Sequence, residues 1–173
     1  SFGSTKLLNI GQGGAVVSKN KKIFNKIKNI KYNGVYNTTK GNWKSLGFNF
    51  KFTDIQSAFG IVQLKDIETK KNKLIKIYNI FNENIYDSKY IKILKVKSNE
   101  IPLYIEILCT KRDKLIKYLS DNNIGSYPFY NSLKDSPLAR KNKYIQKENC
   151  SAIFKKRGLW LLSGSSQKKS EIL

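Results

Sequence analysis

The sequence predicts an α/β protein, and three features of the chain carry this prediction. Apolar residues alternate with others along Ile101–Cys109, as they do in a strand. After Thr53, apolar residues recur at helical spacing. The second half of the chain then orders its elements as strand, helix, strand, helix, strand, which describes a small α/β domain. We place the domain boundary near residues 84–89, which gives domains of residues 1–86 and 87–173.

The first part of the chain predicts a strand, a helix and a long loop. Residues Leu7–Asn20 are interpreted as a turn followed by a strand, because glycines precede the apolar run Ala15–Val17. A lysine-rich helix follows, since apolar residues recur at helical spacing between Ile23 and Ile30. Tyr32–Gly47 is polar and rich in Gly and Asn, and loops of this length are often functional.

Thr53 marks the start of the next helix. Thr53 and Gln56 have the form of a capping box, in which a hydroxyl acceptor is followed three residues later by Gln. The apolar stripe continues to Ile85. Residues Thr53–Ile85 are therefore one long helix, or two helices joined near Asp66.

The second half of the chain predicts short alternating elements. The predicted strands or extended segments are Ile91–Val96, Ile101–Cys109, Ser126–Tyr130 and Gly158–Leu162. The predicted helices are Lys111–Asn123 and Asn149–Lys156, and Pro137–Asn142 is predicted to be a loop.

The formal net charge is +21, with 33 basic residues against 12 acidic ones, and this raises the question of a polyanionic partner. However, only Arg112, Arg140 and Arg157 are arginines, and arginine is the preferred reader of phosphates and bases. The lysines scatter along the chain and recur on the outer faces of the predicted helices. We therefore favour a solvated lysine-rich surface, with a nucleic-acid-binding module as the alternative.

The chain contains no histidine, which excludes histidine-based acid–base or triad chemistry and argues against a zinc site. Cys109 and Cys150 match no metal or redox spacing, so we expect reduced thiols in a cytoplasmic protein. No apolar run is long enough for a membrane helix. Because the chain starts at Ser1 and has no methionine, we expect either a processed chain or, the reading we favour, a fragment of a longer protein.

The opening segment Ser1–Val17, SFGSTKLLNIGQGGAVV, places Lys6 ahead of a glycine-rich turn. It resembles the DegT/DnrJ/EryC1/StrS aminotransferases, whose signature is roughly S-F-x-x-x-K followed by G-[EQ]-G-G-A-V. In that family the lysine holds pyridoxal 5′-phosphate (PLP) covalently, so the resemblance implies that Lys6 is the catalytic, cofactor-binding lysine. The glycines allow the backbone to pass close to the cofactor. The upstream hydroxyls of Ser1 and of Ser4 or Thr5 are expected to bind the phosphate or the lysine. Because the chain is so rich in lysine, Lys6 alone would not identify the family. However, further segments that resemble family motifs follow in the order in which the family has them.

A second block, Gly47–Leu64, resembles the family pattern G-x-N-x-R-[ML]-x-[DE]-[IL]-Q-A-A-x-G followed by Q-L. In the family the Asn reaches across the dimer interface to the PLP phosphate of the neighbouring subunit, so the resemblance assigns this role to Asn49. The family's Arg is Lys51 here, which keeps the charge but loses the bidentate geometry. The alternative is that Asn49 is a turn residue before a capped helix.

Two weaker blocks lie in the second half. Asn123–Leu133 resembles the family's N-x-G-I-x-[TS] region, although a Pro and a His expected near its end are replaced. Phe154–Ser166 resembles the ending of perosamine-synthase-like members, with Leu162 where Pro is usual. We interpret Tyr130 and Trp160 as core or interface aromatics without a catalytic role.

The resemblance implies the aspartate-aminotransferase (type I PLP) fold. Residues 1–86 would form the end of the PLP-binding large domain with a long interdomain helix, and residues 87–173 the small C-terminal domain, cut short at its end. Family members are homodimers with a shared active site. They move an amino group, usually from glutamate, to a keto-sugar nucleotide or a related cyclic ketone, and the resemblance implies a role in polysaccharide biosynthesis. The lysine at position 6 also argues against the family's dehydratase branch, where histidine stands at this position.

The resemblance also implies groups that this chain does not carry. In the family, the carboxylate that pairs with the pyridine nitrogen, the aromatic that stacks on the ring and most phosphate donors belong to the N-terminal half. We therefore expect that the 173-residue chain binds no PLP by itself. A non-catalytic remnant, kept as a dimerisation partner, is the alternative.

Overall fold

The computed structural model describes residues 1–35, 39–141 and 150–172, and the chain divides into two compact units, Ser1–Glu68 and Thr69–Leu173. The elements in chain order are α1 (Lys21–Lys31), α2 (Asp54–Lys65), α3 (Ile67–Asn84), β1 (Ile91–Ile93), β2 (Ile105–Cys109), α4 (Arg112–Asp121), β3 (Ser126–Pro128), α5 (Pro137–Lys141), α6 (Cys150–Arg157) and β4 (Gly158–Leu161). Short 3-10 turns lie at Leu133–Asp135 and Lys169–Glu171.

Helix α1 begins where a side chain satisfies its first amides. The Asn20 side-chain oxygen accepts hydrogen bonds from the backbone N–H groups of Lys22 and Ile23, at 2.9 and 3.2 Å. An Asn in this position satisfies donors that have no partner within the helix. The predicted lysine-rich helix is confirmed.

The predicted capping box of α2 is also confirmed. The Thr53 hydroxyl accepts from the Gln56 N–H at 3.2 Å, and Gln56 Oε1 accepts from the Thr53 N–H at 3.2 Å. The helix ends at Lys65, and Asp66 separates it from α3. Of the two alternatives predicted for Thr53–Ile85, the pair of helices joined at Asp66 is the one observed.

The sheet of the second unit has the strand order β1-β2-β4-β3, with every neighbouring pair antiparallel. Alternate residues of β2, Ile105, Ile107 and Cys109, are buried on one face. They form a core with Leu159 of β4 and Ile77 of α3. The alternation that predicted a strand ending at Cys109 therefore reflects a sheet with one face packed against helices.

Several sequence-based boundaries are wrong. Ala15–Val17, predicted as a strand, has no ladder partner among the described residues, and the strand beginning at Ile101 starts only at Ile105. A strand is defined by its partners, which a local sequence pattern does not supply. Pro102 also lacks the N–H that a ladder requires.

Other boundaries differ by a few residues. The strand expected over Ile91–Val96 ends at Ile93. Pro137–Lys141, predicted as a loop, is the short helix α5, since proline suits the first turn of a helix. Asn142 and Asn149, the predicted end of that loop and start of the next helix, lie outside the described residues.

Along the chain, the first compact unit ends at Glu68 and the second begins at Thr69, before the boundary placed near residues 84–89. The difference comes from α3, which packs Ile77 into the core of the sheet in the second unit. The assignment of residues 1–86 to the end of a PLP-binding domain stays a prediction.

Candidate functional site

Residues 1–14, called the Lys6 loop below, close on themselves in the first unit. The Phe2 N–H donates to the Gly13 carbonyl at 2.9 Å, and the Ile10 N–H donates to the Phe2 carbonyl at 3.1 Å. Within the loop, the Lys6 N–H donates to the Gly3 carbonyl at 3.0 Å. These bonds fix the two ends of the loop side by side and leave Lys6 exposed between them.

The Lys6 loop is held against α2 by packing and by one hydrogen bond. Ile10 is buried, and its side chain lies beside Gly60 of α2. Gln56 Nε2, in the first turn of α2, donates to the Gln12 carbonyl at 3.2 Å. The Lys6 loop therefore contacts α2 at Gln56 and at Gly60.

Gly13 lies where a side chain would collide with a neighbouring ring. Its φ is +134°, and a Cβ atom there would come within 2.7 Å of the Phe52 ring. The Phe2 ring meets the Phe52 ring edge to face at 6.3 Å between centroids. The glycine that the family motif places here is thus required by backbone conformation and by an aromatic contact.

Ser1 lies in the same loop as Lys6. Its hydroxyl accepts from the Gly3 N–H at 3.4 Å, and Gly3 is also the residue whose carbonyl accepts from Lys6. Both Ser1 and Lys6 are exposed. The structure therefore brings these two predicted site residues together around Gly3.

Asn49 lies on a different segment of the first unit. It bridges Tyr32, and its neighbours Phe48 and Phe50 donate to the carbonyls of Ile30 and Lys31 at 2.7 and 3.1 Å. This backbone pairing fixes Asn49 against the end of α1. Among the described residues no hydrogen bond joins Asn49 to Lys6 or Ser1, so its role toward the cofactor stays a prediction.

A cavity of about 640 Å³ lies in the first unit between α1, residues 14–16 and the rings of Phe50 and Phe52. Its lining is mostly apolar, and it includes none of Ser1, Lys6 and Asn49. The three predicted site residues therefore do not open into this cavity. We take the Lys6 loop, with its lysine and hydroxyls, as the candidate site.

The sequence did not predict the role of Gln12 and Gln56 in placing the loop. Gln56 was identified as a helix cap and as part of the family pattern. The only sign of a second contact was that the capping box uses the side-chain oxygen of Gln56 and leaves its N–H₂ group without an acceptor.

The described residues hold no cluster of three or more His, Cys, Asp or Glu side chains that could bind a metal ion. No described helix is both long and apolar enough to cross a membrane.

Comparison with known proteins gives one consistent result. The sequence profile of the DegT/DnrJ/EryC1/StrS aminotransferase family matches residues 1–172. The uncharacterized protein MJ1066 of Methanocaldococcus jannaschii is 30% identical over 159 residues, which cover 82% of this chain and 41% of MJ1066. The UDP-4-amino-4,6-dideoxy-N-acetyl-beta-L-altrosamine transaminase of Campylobacter jejuni is 30% identical over 142 residues, which cover 75% of this chain and 37% of that enzyme.

A solved structure shows the same fold. PseC of Helicobacter pylori, an aminotransferase involved in the biosynthesis of pseudoaminic acid, matches with a TM-score of 0.88 at 23% identity. The match covers 99% of this chain and 49% of that one. The α/β fold predicted as the C-terminal portion of a type I PLP enzyme is confirmed. The chain spans between 37% and 49% of the length of these three proteins.

Proposed function

Because the chain belongs to the DegT/DnrJ/EryC1/StrS aminotransferase family, we propose that it forms part of an enzyme that moves an amino group from an amino acid to a keto-sugar nucleotide. Glutamate is the proposed donor, by resemblance to the family. A nucleotide-linked acceptor is supported by the C. jejuni relative, whose name describes a UDP-linked amino sugar. The cofactor implied by the family is PLP. The proposed setting is polysaccharide biosynthesis in the cytoplasm.

The closed Lys6 loop is the observation that best supports the proposed function. Its residues fit the lysine-bearing part of a PLP site, because Lys6 is exposed on a loop whose two ends are joined by backbone hydrogen bonds. A Cβ at Gly13 would collide with the Phe52 ring, so the loop needs its glycine, and the Ser1 hydroxyl lies in the same loop. When bound, PLP supplies the electron sink that makes the α-hydrogen of an amino acid acidic.

Each of the three predicted site residues has a proposed task. Lys6 Nζ would hold PLP covalently and, once free, would carry the proton that leaves the α-carbon of the donor amino acid. The Ser1 hydroxyl contacts the phosphate or orients Lys6. Asn49 extends to the phosphate bound by a second subunit, so the proposed enzyme is a homodimer with a shared site.

The rest of the site belongs to a longer protein in this proposal. The chain covers 41% and 37% of the two relatives, so a family-length protein, meaning this chain joined to the rest of the family fold, carries the proposed activity. We propose that residues 1–86 end its PLP-binding domain and that the 173-residue chain binds no PLP alone. A stable visible absorption band of PLP on the isolated chain would overturn the last statement.

The test follows the transferred nitrogen. The family-length protein is supplied with PLP, ¹⁵N-glutamate and a UDP-linked 4-keto sugar, and the product is analysed by mass spectrometry. We expect the label in the sugar with the unmodified protein and with the control Lys19→Ala, which alters another exposed lysine of the first unit. Lys6→Ala should abolish the transfer. Undiminished transfer by Lys6→Ala would refute the role of Lys6, and no transfer to any nucleotide-linked keto sugar would refute the acceptor class.

A further inference from the structure

Ala15–Val17 has the composition of a buried strand but lies exposed in the first unit. Val16 is 69% exposed and Val17 is 93% exposed. Among the described residues, no backbone hydrogen bond joins this segment to another one. Three consecutive apolar residues are typical of a strand that is covered on both faces, where its N–H and C=O groups need partners. The segment therefore has the features of a strand whose neighbour lies elsewhere.

The same segment borders an apolar space. Ala15 and Val16 line the cavity of about 640 Å³ described above, called the α1 groove below, together with Phe24 and Ile27 of α1 and with Phe50. Protein interiors contain few voids larger than a water molecule, so an apolar space of this size is normally filled by side chains. The α1 groove has the lining of a protein core, and side chains from elsewhere are needed to fill it.

Charge argues against a second copy of this chain as the occupant. Residues 1–53 contain lysines throughout but neither Asp nor Glu, and Lys28 and Lys31 line the α1 groove. Two copies that faced each other at this groove would bring like charges together, which disfavours association.

The matched proteins contain enough additional chain to fill the groove. PseC has the same fold with a TM-score of 0.88, yet this chain covers only 49% of it, and the chain covers 41% of MJ1066. More than half of each of these proteins therefore lies outside the matched region. A family-length protein has the same length of chain available beside Ala15–Val17.

We propose that a β-strand from the remaining part of the family-length protein pairs with Ala15–Val17, and that apolar side chains from that part fill the α1 groove. Side chains of a strand alternate between two faces, so one face of the added strand would meet the groove beside Val16. The inference rests on the part of the proposed function that joins this chain to a longer protein, and not on amino transfer.

Hydrogen exchange of the unmodified family-length protein tests the strand. A single added strand accepts from alternate N–H groups, so at least one of the Val16 and Val17 amides should exchange on the order of tenfold or more slowly than in an unstructured peptide. In the isolated 173-residue chain both amides should exchange as in such a peptide. Unprotected amides at both positions of the family-length protein would overturn the proposal. So would protection in the isolated chain, because the partner would then be this chain itself.

A photo-crosslinker identifies the occupant. Val17→p-benzoylphenylalanine places a reactive ketone on the exposed segment of the family-length protein. Lys26→p-benzoylphenylalanine is the control, since Lys26 is exposed on α1 and does not line the groove. We expect only the Val17 variant to link to a peptide outside residues 1–173, without a change in polypeptide mass on a denaturing gel. A link to a second copy, seen as a doubled mass, would overturn the proposal.

Two residues of α1 give a matched test of the groove. Phe24 and Ile23 are 52% and 51% exposed, but only Phe24 lines the groove. In the family-length protein Phe24→Lys should lower the melting temperature more than Ile23→Lys, because it would bury a charge among apolar side chains. Equal losses would show that nothing fills the groove.

This inference and the proposed amino transfer can fail separately. Lys6→Ala should abolish the transfer of labelled nitrogen and leave the protection of the Val16 and Val17 amides unchanged. Protected amides in a protein that transfers no nitrogen would refute the function alone, and transfer with unprotected amides would refute the strand alone.

Discussion

The side-chain amide of Gln56 donates a hydrogen bond to the backbone carbonyl of Gln12 at 3.2 Å, which ties the first turn of α2 to the loop that carries Lys6. The other end of the same amide, Oε1, accepts from the Thr53 N–H at 3.2 Å and closes the capping box. One side chain thus starts the helix and places the loop. A change at Gln56 can separate these two effects.

Gln56→Glu should keep the helix cap and lose the loop contact. A carboxylate accepts from the Thr53 N–H, as Glu does in capping boxes, but it cannot donate to the Gln12 carbonyl. We expect an unchanged melting temperature with faster hydrogen exchange at the Phe2 and Ile10 amides. Gln56→Ala loses both contacts and should reduce the free energy of unfolding by about 1 kcal/mol. Unchanged exchange in Gln56→Glu would show that the bond to Gln12 does not hold the loop.

Gly13→Ala should destabilise the first unit. The backbone at Gly13 has a φ of +134°, and the new Cβ would lie 2.7 Å from the Phe52 ring. A strained backbone conformation alone costs about 1–3 kcal/mol, and the contact adds to it. Gly11→Ala is the control, because its φ is +85° but no atom lies within 4 Å of the new Cβ. Chemical denaturation should rank Gly13→Ala below Gly11→Ala in stability, and equal losses would refute the contact with Phe52.

Leu159→Ala tests the core of the second unit. Leu159 is fully buried, and a Leu to Ala change in a core usually costs about 2–5 kcal/mol because it removes apolar burial and leaves a cavity. Leu162→Ala, one residue beyond the end of β4, alters a side chain that is 51% exposed and should cost less than about 1 kcal/mol. Urea denaturation measures both, and similar losses would mean that Leu159 does not belong to the core.

Features with a local cause were predictable from the sequence. The Thr53 capping box lies where it was predicted, and the break at Asp66 is one of the two alternatives predicted. The alternation along β2 ends at Cys109 as predicted, although the strand begins only at Ile105. Ala15–Val17 has the composition of a strand, but a strand needs a partner, and the described residues offer it none. Helix α5 was missed because Pro137 was interpreted as a loop residue, whereas proline is also favoured at a helix start.

The candidate site was also predictable from the sequence only in part. The motif around Lys6 was recognisable from residue order, and the structure places Ser1 in the same closed loop. The bond between Gln56 and Gln12 joins residues 44 positions apart, and only the fold brings them together.

The most direct test of the central claim is the identity of the lysine that holds PLP. The family-length protein is loaded with PLP, reduced with borohydride, digested and mapped by mass spectrometry, alongside Lys6→Ala and the control Lys19→Ala. The account predicts the reduced cofactor on the peptide that contains Lys6 in the unmodified protein and in Lys19→Ala, and no labelled peptide in Lys6→Ala. A cofactor trapped on another lysine, with Lys6 unmodified, would contradict it.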